Sequence, residues 1–452
     1  MIRPTRSSQR DERAPLQPMA IVNARLIDPA SGTDSKGALY IADGVIKDLG
    51  ATLFNDGAPS QAQAVDANGA CLAPGLVDIR VHAGEPGEEH KETIDTAALS
   101  AVAGGVTTMV LLPNTDPVID DAALVEFVQR RARQVKRVNV YCYGAITLGL
   151  KGKELCELGL LTEAGAVAFT DGVHAVSDAL VMRRALSYGR TFDALIVQHP
   201  MEPKLGDAGA MNEGEIATRL GLPGIPAAAE AMMLERDMWL VEMTGGRYHA
   251  AHISTAQSVE IVRRAKKRGL RVTCDTAPPY FALNETAVGE YRTFAKLTPP
   301  LRSETDRRAI VQGLRDGTID AIASDHWPQD QDSKRQPFVQ ADPGIVGLES
   351  LLPLSLELVH NGFLDLPALF QRLALSPAKL MKLPGGRLEK GAPADLVLFD
   401  ADAPYRLEVA KFRSKCKNSP FDGRPVQGKV LATMVSGRVV YRDELAPQEL
   451  AA

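Results

Sequence analysis

The sequence predicts an α/β protein built as a TIM (β/α)8 barrel with a small β-sandwich domain beside it. Eight apolar, strand-like runs alternate with helical stretches over residues 72–381, an order typical of a parallel barrel. Short alternating strand patterns occur near both ends of the chain, over residues 19–71 and 382–445. The two ends are therefore predicted to form one composite β domain that flanks the barrel, after a disordered lead at residues 1–18.

Composition agrees with a globular protein of enzyme size. The chain has 452 residues, of which 45% are hydrophobic and 24% charged, so disordered and collagen-like chains are excluded. A net charge of -5 provides no basic surface for nucleic acid, and no apolar run approaches the ~20 residues that span a bilayer. We therefore expect a cytoplasmic protein that binds neither nucleic acid nor membrane. An oligomeric state, and a small-molecule substrate if the protein is active, are separate expectations.

The cysteines give no sign of a structural framework. They are odd in number, scattered along the chain and without CxxC spacing, which argues against disulfides and against a zinc finger. All are predicted to be buried thiols: Cys71, Cys142, Cys156, Cys274 and Cys416.

The predicted barrel strands indicate where functional side chains should lie. They cover residues 76–82, 106–112, 138–145, 166–170, 194–199, 248–254, 270–274 and 319–324. Apolar residues at helical spacing separate them, for example at residues 121–135 and 256–268. Because active sites of this fold lie at the carboxyl ends of the strands, the polar residues that close each strand are the candidates.

Histidine and aspartate recur at these strand ends. In chain order the strand-end residues are Arg80, His82, Asn114, Asp171, His199, His252 and Asp325. One histidine in such a place is as readily explained by a hydrogen bond in a polar pocket. Three of the eight histidines together with an aspartate instead favour a zinc-type site. The other histidines are left unassigned: His90, His174, His249, His326 and His360.

An ordered series of motifs gives the chain a family resemblance. The motifs are Pro74-Gly-Leu-Val-Asp78, Glu85-Pro-Gly87, His90-Lys-Glu92, Pro113-Asn-Thr-Asp-Pro-Val118, Asn212-Glu-Gly214, His252-Ile-Ser-Thr255, Pro299-Pro-Leu-Arg302, Asp325-His326 and Gly344-Ile-Val-Gly-Leu-Glu349. Over nearly the whole chain they resemble dihydroorotase of the long bacterial type, in the amidohydrolase superfamily. The resemblance implies an amidohydrolase barrel, zinc, and the reversible closure of N-carbamoyl-aspartate to dihydroorotate in pyrimidine biosynthesis.

Dihydropyrimidinases and hydantoinases share that barrel and are the alternative family. They place a carboxylated lysine at the end of the fourth strand. No lysine follows Phe169 in this chain, and the nearest upstream ones, Lys151 and Lys153, precede that strand. The motifs therefore favour the dihydroorotase branch.

Two metal-ligand positions depart from the family pattern. The family's first strand resembles His-x-His-x-Arg, and Arg80 stands at its first histidine. The ligand after strand four falls on Gly172, since Asp171 matches the non-ligand aspartate before it. The resemblance thus leaves His82 alone at the first metal position, too few donors for tight binding. We expect Arg80 to replace the lost cation, with Gly172 leaving it room; the alternative is that Arg80 only fills a decaying pocket.

By the same resemblance the second metal position is intact. His199 and His252 are expected to hold one ion, which is zinc in this family. Asp325 is expected to be a further ligand or the base that takes a proton from water. We therefore expect one zinc ion per chain at most.

Substrate contacts are also altered. By resemblance Gly84 replaces a carboxylate-binding arginine, while Thr298 and Gln329 replace an asparagine and a histidine. The remaining contacts expected for a substrate are Asn114, Arg80 and a backbone N–H near Gly344.

Three functional alternatives stay open. The chain is a dihydroorotase-type amidohydrolase with one metal, a non-catalytic dihydroorotase-like subunit that scaffolds aspartate transcarbamoylase, or a cyclic amidohydrolase of altered substrate. Loss of a metal removes a Lewis acid that contributes several kcal/mol to catalysis. This loss favours an impaired or non-catalytic protein.

Overall fold

The computed structural model describes residues 16–450, so most of the predicted disordered lead lies outside the described residues. The strands are β1 (Met19–Asp28), β2 (Thr33–Ala42), β3 (Val45–Gly50), β4 (Gln63–Asp66), β5 (Cys71–Pro74), β6 (Leu76–Val81), β7 (Val106–Leu111), β8 (Asn139–Cys142), β9 (Phe169–Thr170), β10 (Leu195–Gln198), β11 (Met211–Asn212), β12 (Gly224–Ile225), β13 (Arg247–Ala250), β14 (Val272–Thr276), β15 (Ala321–Ile322), β16 (Leu396–Arg406), β17 (Pro425–Val435) and β18 (Arg438–Arg442).

The α-helices are α1 (Ile94–Ala103), α2 (Ala122–Val135), α3 (Leu158–Ala164), α4 (Ala179–Thr191), α5 (Pro203–Gly206), α6 (Glu215–Leu220), α7 (Ala228–Thr244), α8 (Ala256–Lys267), α9 (Pro278–Ala282), α10 (Glu304–Arg315), α11 (Gln331–Lys334), α12 (Leu351–His360), α13 (Leu366–Phe370) and α14 (Ser376–Leu380). A π-helical turn at Gln371–Leu375 joins the last two.

The barrel strands follow one another in chain order. β6, β7 and β8 form one parallel segment, and β9, β10, β13, β14 and β15 form the other. A bridge between Gly144 and Phe169 joins the segments at one seam, and a bridge between Val81 and His326 joins them at the other. At this second seam the His82 N–H donates to the His326 carbonyl at 2.8 Å. The predicted TIM barrel is confirmed.

Each predicted barrel strand is present, but several are shorter than the sequence pattern suggests. β9 and β15 are two residues long, and β13 stops at Ala250, short of its predicted end. Beyond the strands, His252 and Asp325 adopt left-handed φ angles of 38° and 53°. Because such angles do not occur in a regular strand, the backbone leaves the sheet at these two strand ends.

Side-chain caps fix where the predicted helices begin. α2 follows Asp121, whose carboxylate accepts the Leu124 N–H, and α8 follows Thr255, whose hydroxyl accepts the Ser258 N–H. Both helices agree with those predicted from the apolar spacing.

One hydrogen-bonded sheet flanks the barrel, in the order β18-β17-β16-β5-β1-β2-β3, with β4 paired to β1. Strands from both ends of the chain therefore share it, as the sequence predicts. β5 is the joint, because its Leu72 pairs with Leu26 of β1 on one side and Leu398 of β16 on the other. The boundary suggested between residues 71 and 72 falls inside this strand.

The cysteine prediction is also confirmed. All five cysteines are buried and free. Burial raises the pKa of the Cys142 and Cys156 thiols to about 12, so they stay protonated at neutral pH. No helix among residues 16–450 is long and apolar enough to cross a membrane.

Candidate active site

The first barrel strand, β6, carries Arg80 into a cluster at the strand ends. Arg80 is 2% exposed, and its Nε donates to Oδ1 of Asp325 at 2.8 Å. Its backbone N–H donates to Oδ1 of Asp78 at 3.1 Å. A buried guanidinium needs a counter-charge because transfer out of water is costly, and Asp325 provides it.

Four of the predicted strand-end residues form one hydrogen-bonded row. His199 Nδ1 lies 2.7 Å from His252 Nε2, and His252 Nδ1 lies 3.2 Å from Asp325 Oδ2. The Tyr280 hydroxyl lies 3.5 Å from the same Asp325 oxygen. The row therefore runs from His199 through His252 and Asp325 to Arg80, and it connects residues at the ends of β10, β13, β15 and β6.

The electrostatics favour neutral His82 and His199 side chains beside an ionised Asp325 carboxylate. Burial, together with the Arg80 charge, holds the pKa of His82 well below its usual range. Burial and the neighbouring His252 act in the same direction on the pKa of His199. Burial alone would raise the pKa of Asp325, but His252 and Arg80 outweigh it and hold that pKa below its usual value. Asp325 is therefore charged and firmly paired.

The donors do not fit a metal ion in this arrangement. Both ring nitrogens of His252 and both carboxylate oxygens of Asp325 already bond to protein groups. Within residues 16–450 no three or more His, Cys, Asp or Glu side chains are disposed to hold an ion. The residues expected from the family resemblance to bind metal do lie together, but a ready-made second metal position is not found, because His199, His252 and Asp325 satisfy one another.

Among the described residues, two buried polar atoms make no hydrogen bond: Nη2 of Arg80 in β6 and Nε2 of His82, which follows that strand. His82 stacks on Trp327, with ring centroids 4.7 Å apart and planes inclined by 13°. Its Nε2 is buried and has no hydrogen-bond partner in the part of the chain that the structure describes. The Nη2 of Arg80 is buried and unbonded there as well. Such atoms are rare in native proteins and ask for an explanation.

The space beside Gly172 belongs to Asn114. A Cβ on Gly172 would overlap Oδ1 of Asn114, and Asn114 Nδ2 donates to the Asp171 carbonyl at 3.4 Å. The expectation that Gly172 leaves room for Arg80 is therefore wrong, because Asn114 takes that room. Asp171 has a structural role, since its carboxylate accepts the Ile146 and Thr147 N–H groups.

Two glycines tied to substrate binding serve the backbone instead. Gly84 has a φ of 65°, and a Cβ there would lie 2.7 Å from the Glu88 carbonyl and 2.8 Å from that of Glu92. The chain has thus closed over the place of the family's arginine. The Gly344 N–H donates to the Lys296 carbonyl at 3.1 Å. Because its hydrogen is already bonded, a substrate contact near Gly344 would have to come from a neighbouring backbone N–H, and that contact stays a prediction.

The other two altered positions differ in burial. Gln329 is 3% exposed and ties two loops together, since its Nε2 donates to the Pro343 carbonyl at 2.9 Å and its N–H donates to Asn418 Oδ1 at 3.0 Å. Thr298 is half-buried and directly precedes Pro299. Gln329 therefore supports the loop after β15.

Asp275, which the sequence pattern did not mark as a candidate, holds the left-handed turn at His252. One carboxylate oxygen of Asp275 accepts the His252 N–H, and the other lies 2.9 Å from Nε2 of His249. The signal was available, because Asp275 directly follows Cys274, where the seventh strand was predicted to end. β14 continues to Thr276, so a longer predicted strand would have made Asp275 a strand-end residue.

An eight-stranded parallel barrel with histidine and aspartate at its strand ends, beside a sheet drawn from both chain ends, defines a protein of the amidohydrolase class. A family model described as Dihydro-orotase-like matches residues 69–258. A dihydroorotase of Anaplasma phagocytophilum (strain HZ) is 48% identical over 429 residues, which cover 94% of this chain and 96% of that protein. A dihydroorotase of Pelobacter propionicus is 46% identical, covering 94% and 99%. The chain belongs to the dihydroorotase family.

Solved structures agree on the fold. An L-hydantoinase (dihydropyrimidinase) from Arthrobacter aurescens has a TM-score of 0.83 at 25% identity and covers 96% of this chain and 98% of its own. A dihydropyrimidinase from Brevibacillus agri NCHU1002 has a TM-score of 0.82 at 20% identity, with 96% and 97% covered. The much higher identity to dihydroorotases agrees with the motif comparison, which set the hydantoinase alternative aside.

Proposed function

We propose that this chain serves pyrimidine biosynthesis at the dihydroorotase step, the reversible closure of N-carbamoyl-aspartate to dihydroorotate. The observation that carries the proposal is the match to relatives named dihydroorotase, which extends over 94% of the chain at 48% identity. The collection of His199, His252, Asp325 and Arg80 at the strand ends supports it. A cytoplasmic location follows for a step of this pathway, and oligomer formation is part of the same proposal.

The residues present suit substrate binding better than fast turnover. Arg80 offers N–H donors to a carbonyl or carboxylate, whereas the low pKa of the buried His199 makes it a poor proton acceptor. Asp325 is a weak base, because His252 and Arg80 hold its pKa low. We therefore propose slow hydrolysis compared with relatives that keep the complete set of metal ligands.

The family implies a metal cofactor, and for this chain we propose at most one zinc ion. An ion held by His199, His252 and Asp325 has to break the bonds that these residues make with one another. It also has to compete with Arg80 for the Asp325 carboxylate. Weak and partial occupancy is the expected result.

A second candidate function is favoured by the Arg80–Asp325 ion pair. The pair occupies the carboxylate that is the expected catalytic base, so a subunit without catalysis is a coherent alternative. In that case the chain supports an aspartate transcarbamoylase as a structural partner. An altered cyclic-amide substrate is the remaining possibility for an active protein.

Activity and metal content measured on one preparation test the proposal. The purified chain, dialysed against a weak chelator, is assayed for dihydroorotate hydrolysis and carbamoyl-aspartate cyclisation and analysed for metals. We expect slow turnover, at most one metal equivalent, and loss of activity in Asp325→Ala. The matched control is His360→Ala, which should retain activity because His360 is an exposed histidine at the end of α12.

The outcomes separate the candidates. Two metal equivalents contradict the one-ion proposal. No turnover in either direction, even with added zinc, rejects the dihydroorotase step and leaves the structural subunit and the altered cyclic-amide substrate.

A further inference from the structure

Arg80 is a buried cation with bonding capacity left over. Its Nε is bound to Asp325 at 2.8 Å, yet its Nη2 has no partner within residues 16–450. A guanidinium that served only to neutralise Asp325 would be expected to form two parallel bonds to the carboxylate. Here the second Asp325 oxygen goes to His252. One guanidinium N–H group therefore remains open for another acceptor.

A second open atom lies close by on the same stretch of chain. His82 follows Arg80 by two residues, so both side chains leave the strand on the same side. Stacking against Trp327 holds the His82 ring, and its buried Nε2 has no partner among the described residues. Two unpartnered buried polar atoms thus stand at one strand end.

The neighbouring polar side chains already bond to one another, so they do not need an ion as a partner. His199 and His252 are bonded to each other at 2.7 Å, and Asp325 is neutralised by Arg80. The space beside Gly172, where the family has a ligand, is filled by Asn114. The positive charge at this strand end is therefore part of the polypeptide.

We propose that Arg80 replaces the metal as the cation of this site, and that its free Nη2, with His82 Nε2, binds the carboxylate of a small acidic ring compound without any metal. The ring class rests on the proposed function, in which dihydroorotate is the ligand. An anion is the natural acceptor for a buried guanidinium N–H, because a charge-assisted bond is stronger than a neutral one.

Calorimetric titration of the full chain with orotate, in buffer containing a chelator, tests the proposal. Orotate carries the ring and the carboxylate of the substrate and is not hydrolysed. We expect binding that stays within about twofold when the chelator is replaced by zinc, and at least ~10-fold weaker binding of uracil, which lacks the carboxylate. Equal binding of uracil would overturn the carboxylate assignment.

Variants of the Arg80–Asp325 ion pair distinguish an Arg80 cation from a metal cation, because the two predict opposite effects on orotate binding. Asp325→Asn frees Arg80, so orotate should bind as well as before or severalfold more tightly. A site organised by metal would lose orotate, because Asp325 is an expected ligand. Arg80→Gln should weaken binding at least ~10-fold, while Arg424→Gln, which breaks the ion pair with Glu357 elsewhere, should leave it unchanged.

Arg80→Gln leaves a buried unpaired carboxylate and can fail to fold. The double variant Arg80→Gln with Asp325→Asn removes both charges and should fold, yet bind orotate at least ~10-fold more weakly than Asp325→Asn alone. Orotate binding that appears only with zinc and vanishes in Asp325→Asn overturns this inference and leaves the proposed function standing. Absence of both orotate binding and dihydroorotate hydrolysis, with or without zinc, rejects the proposed function itself.

Discussion

Because Gly172 has no side chain, the Asn114 amide can occupy the space next to it. The Asn114 amide lies where a Cβ of residue 172 would be, and the φ of 66° at Gly172 is in the left-handed region. A carboxylate restored at this position would meet the amide. Recovery of the family's ligand set through Arg80→His and Gly172→Asp therefore also requires a smaller residue at position 114.

Gly172→Ala should be markedly destabilising for two separate reasons. Left-handed φ costs a residue with a Cβ ~1–2 kcal/mol, and the overlap with Asn114 adds to it. Gly269→Ala is the matched control, because Gly269 has a φ of 78° and open space around it. This variant should therefore lose only the free energy that the left-handed φ costs, without the overlap. Denaturant unfolding of both variants measures the difference.

Asn114→Ala provides the complementary check. Combined with Gly172→Ala, it should reduce the loss in free energy of unfolding to about that of the Gly269→Ala control. Equal losses of stability in Gly172→Ala and Gly269→Ala would mean that the Asn114 side chain moves aside without a cost in free energy.

The residue types of the site could be predicted from the sequence, whereas their partners could not. Strand ends gave Arg80, His82, His199, His252 and Asp325, because parallel strands bring their carboxyl ends together. Whether Arg80 would bond Asp325 or lie beside Gly172 depends on side-chain packing across the barrel, which a linear pattern does not contain. The bonded N–H of Gly344 escaped prediction for the same reason.

At the scale of elements, the loop after β15 is held by a buried lysine. Lys334, 2% exposed at the end of α11, donates to the carbonyls of Thr293 at 3.2 Å and Asp342 at 2.6 Å, and lies 3.5 Å from that of Lys296. The same loop carries Trp327, on which His82 stacks. The loop geometry next to the candidate site therefore depends on Lys334 as well as on Gln329.

Lys334→Met should destabilise the protein by ~1–3 kcal/mol, because buried carbonyls lose their donor. Lys390→Met is the control, since Lys390 is 64% exposed in a surface ion pair and should change stability by less than ~1 kcal/mol. Thermal unfolding compares them. Equal midpoints for both variants would show that water replaces the ammonium.

Glu349, just before α12, links three parts of the chain. Its Oε1 accepts bonds from the Ser100 hydroxyl of α1 and from the backbone N–H groups of Arg413 and Ser414. Burial nevertheless raises its pKa to about 7, with these bonds and the charge of Lys417 partly opposing the rise. The folded protein therefore binds this proton more tightly than the unfolded chain does.

Stability should accordingly fall as the pH rises from about 5 to 7.5. The protonated carboxyl contributes fully below the unfolded pKa of ~4.3, and the contribution is lost as the pH passes the folded pKa. In Glu349→Gln this part of the pH dependence should disappear, leaving the variant ~1–3 kcal/mol more stable relative to the native chain at pH 8 than at pH 5. Parallel pH profiles of the two melting temperatures would refute the assignment.

At the scale of the whole molecule, the architecture was predictable but one joint was not. Long apolar runs mark the barrel strands, and both end segments alternate clearly. β4 and β5 are four residues each, and β5 is buried throughout, so it has no alternation to detect. The sequence pattern therefore could not locate β5, the strand that joins the two chain ends, although it did indicate that the two ends share a sheet.

The structural-subunit alternative makes a prediction for the intact molecule. If the chain supports an aspartate transcarbamoylase, the two proteins should co-elute at micromolar concentration, as interfaces of ~1,200–2,000 Å² allow. Carbamoyl-aspartate synthesis in the complex should be unaffected by Asp325→Ala, because that residue lies inside the barrel mouth. Separate elution, together with ordinary dihydroorotate turnover by the chain alone, would reject this alternative.

The position of β5 also dictates an order of events during translation. β1 to β5 leave the ribosome first, but β16, which pairs with β5, is made only after the entire barrel. At the usual rate of synthesis the nascent sheet waits on the order of tens of seconds with the β5 edge open. An open edge is a template for pairing with other chains. We therefore expect ribosome-bound chains stalled before residue 396 to recruit chaperones, and chains stalled beyond β18 to release them.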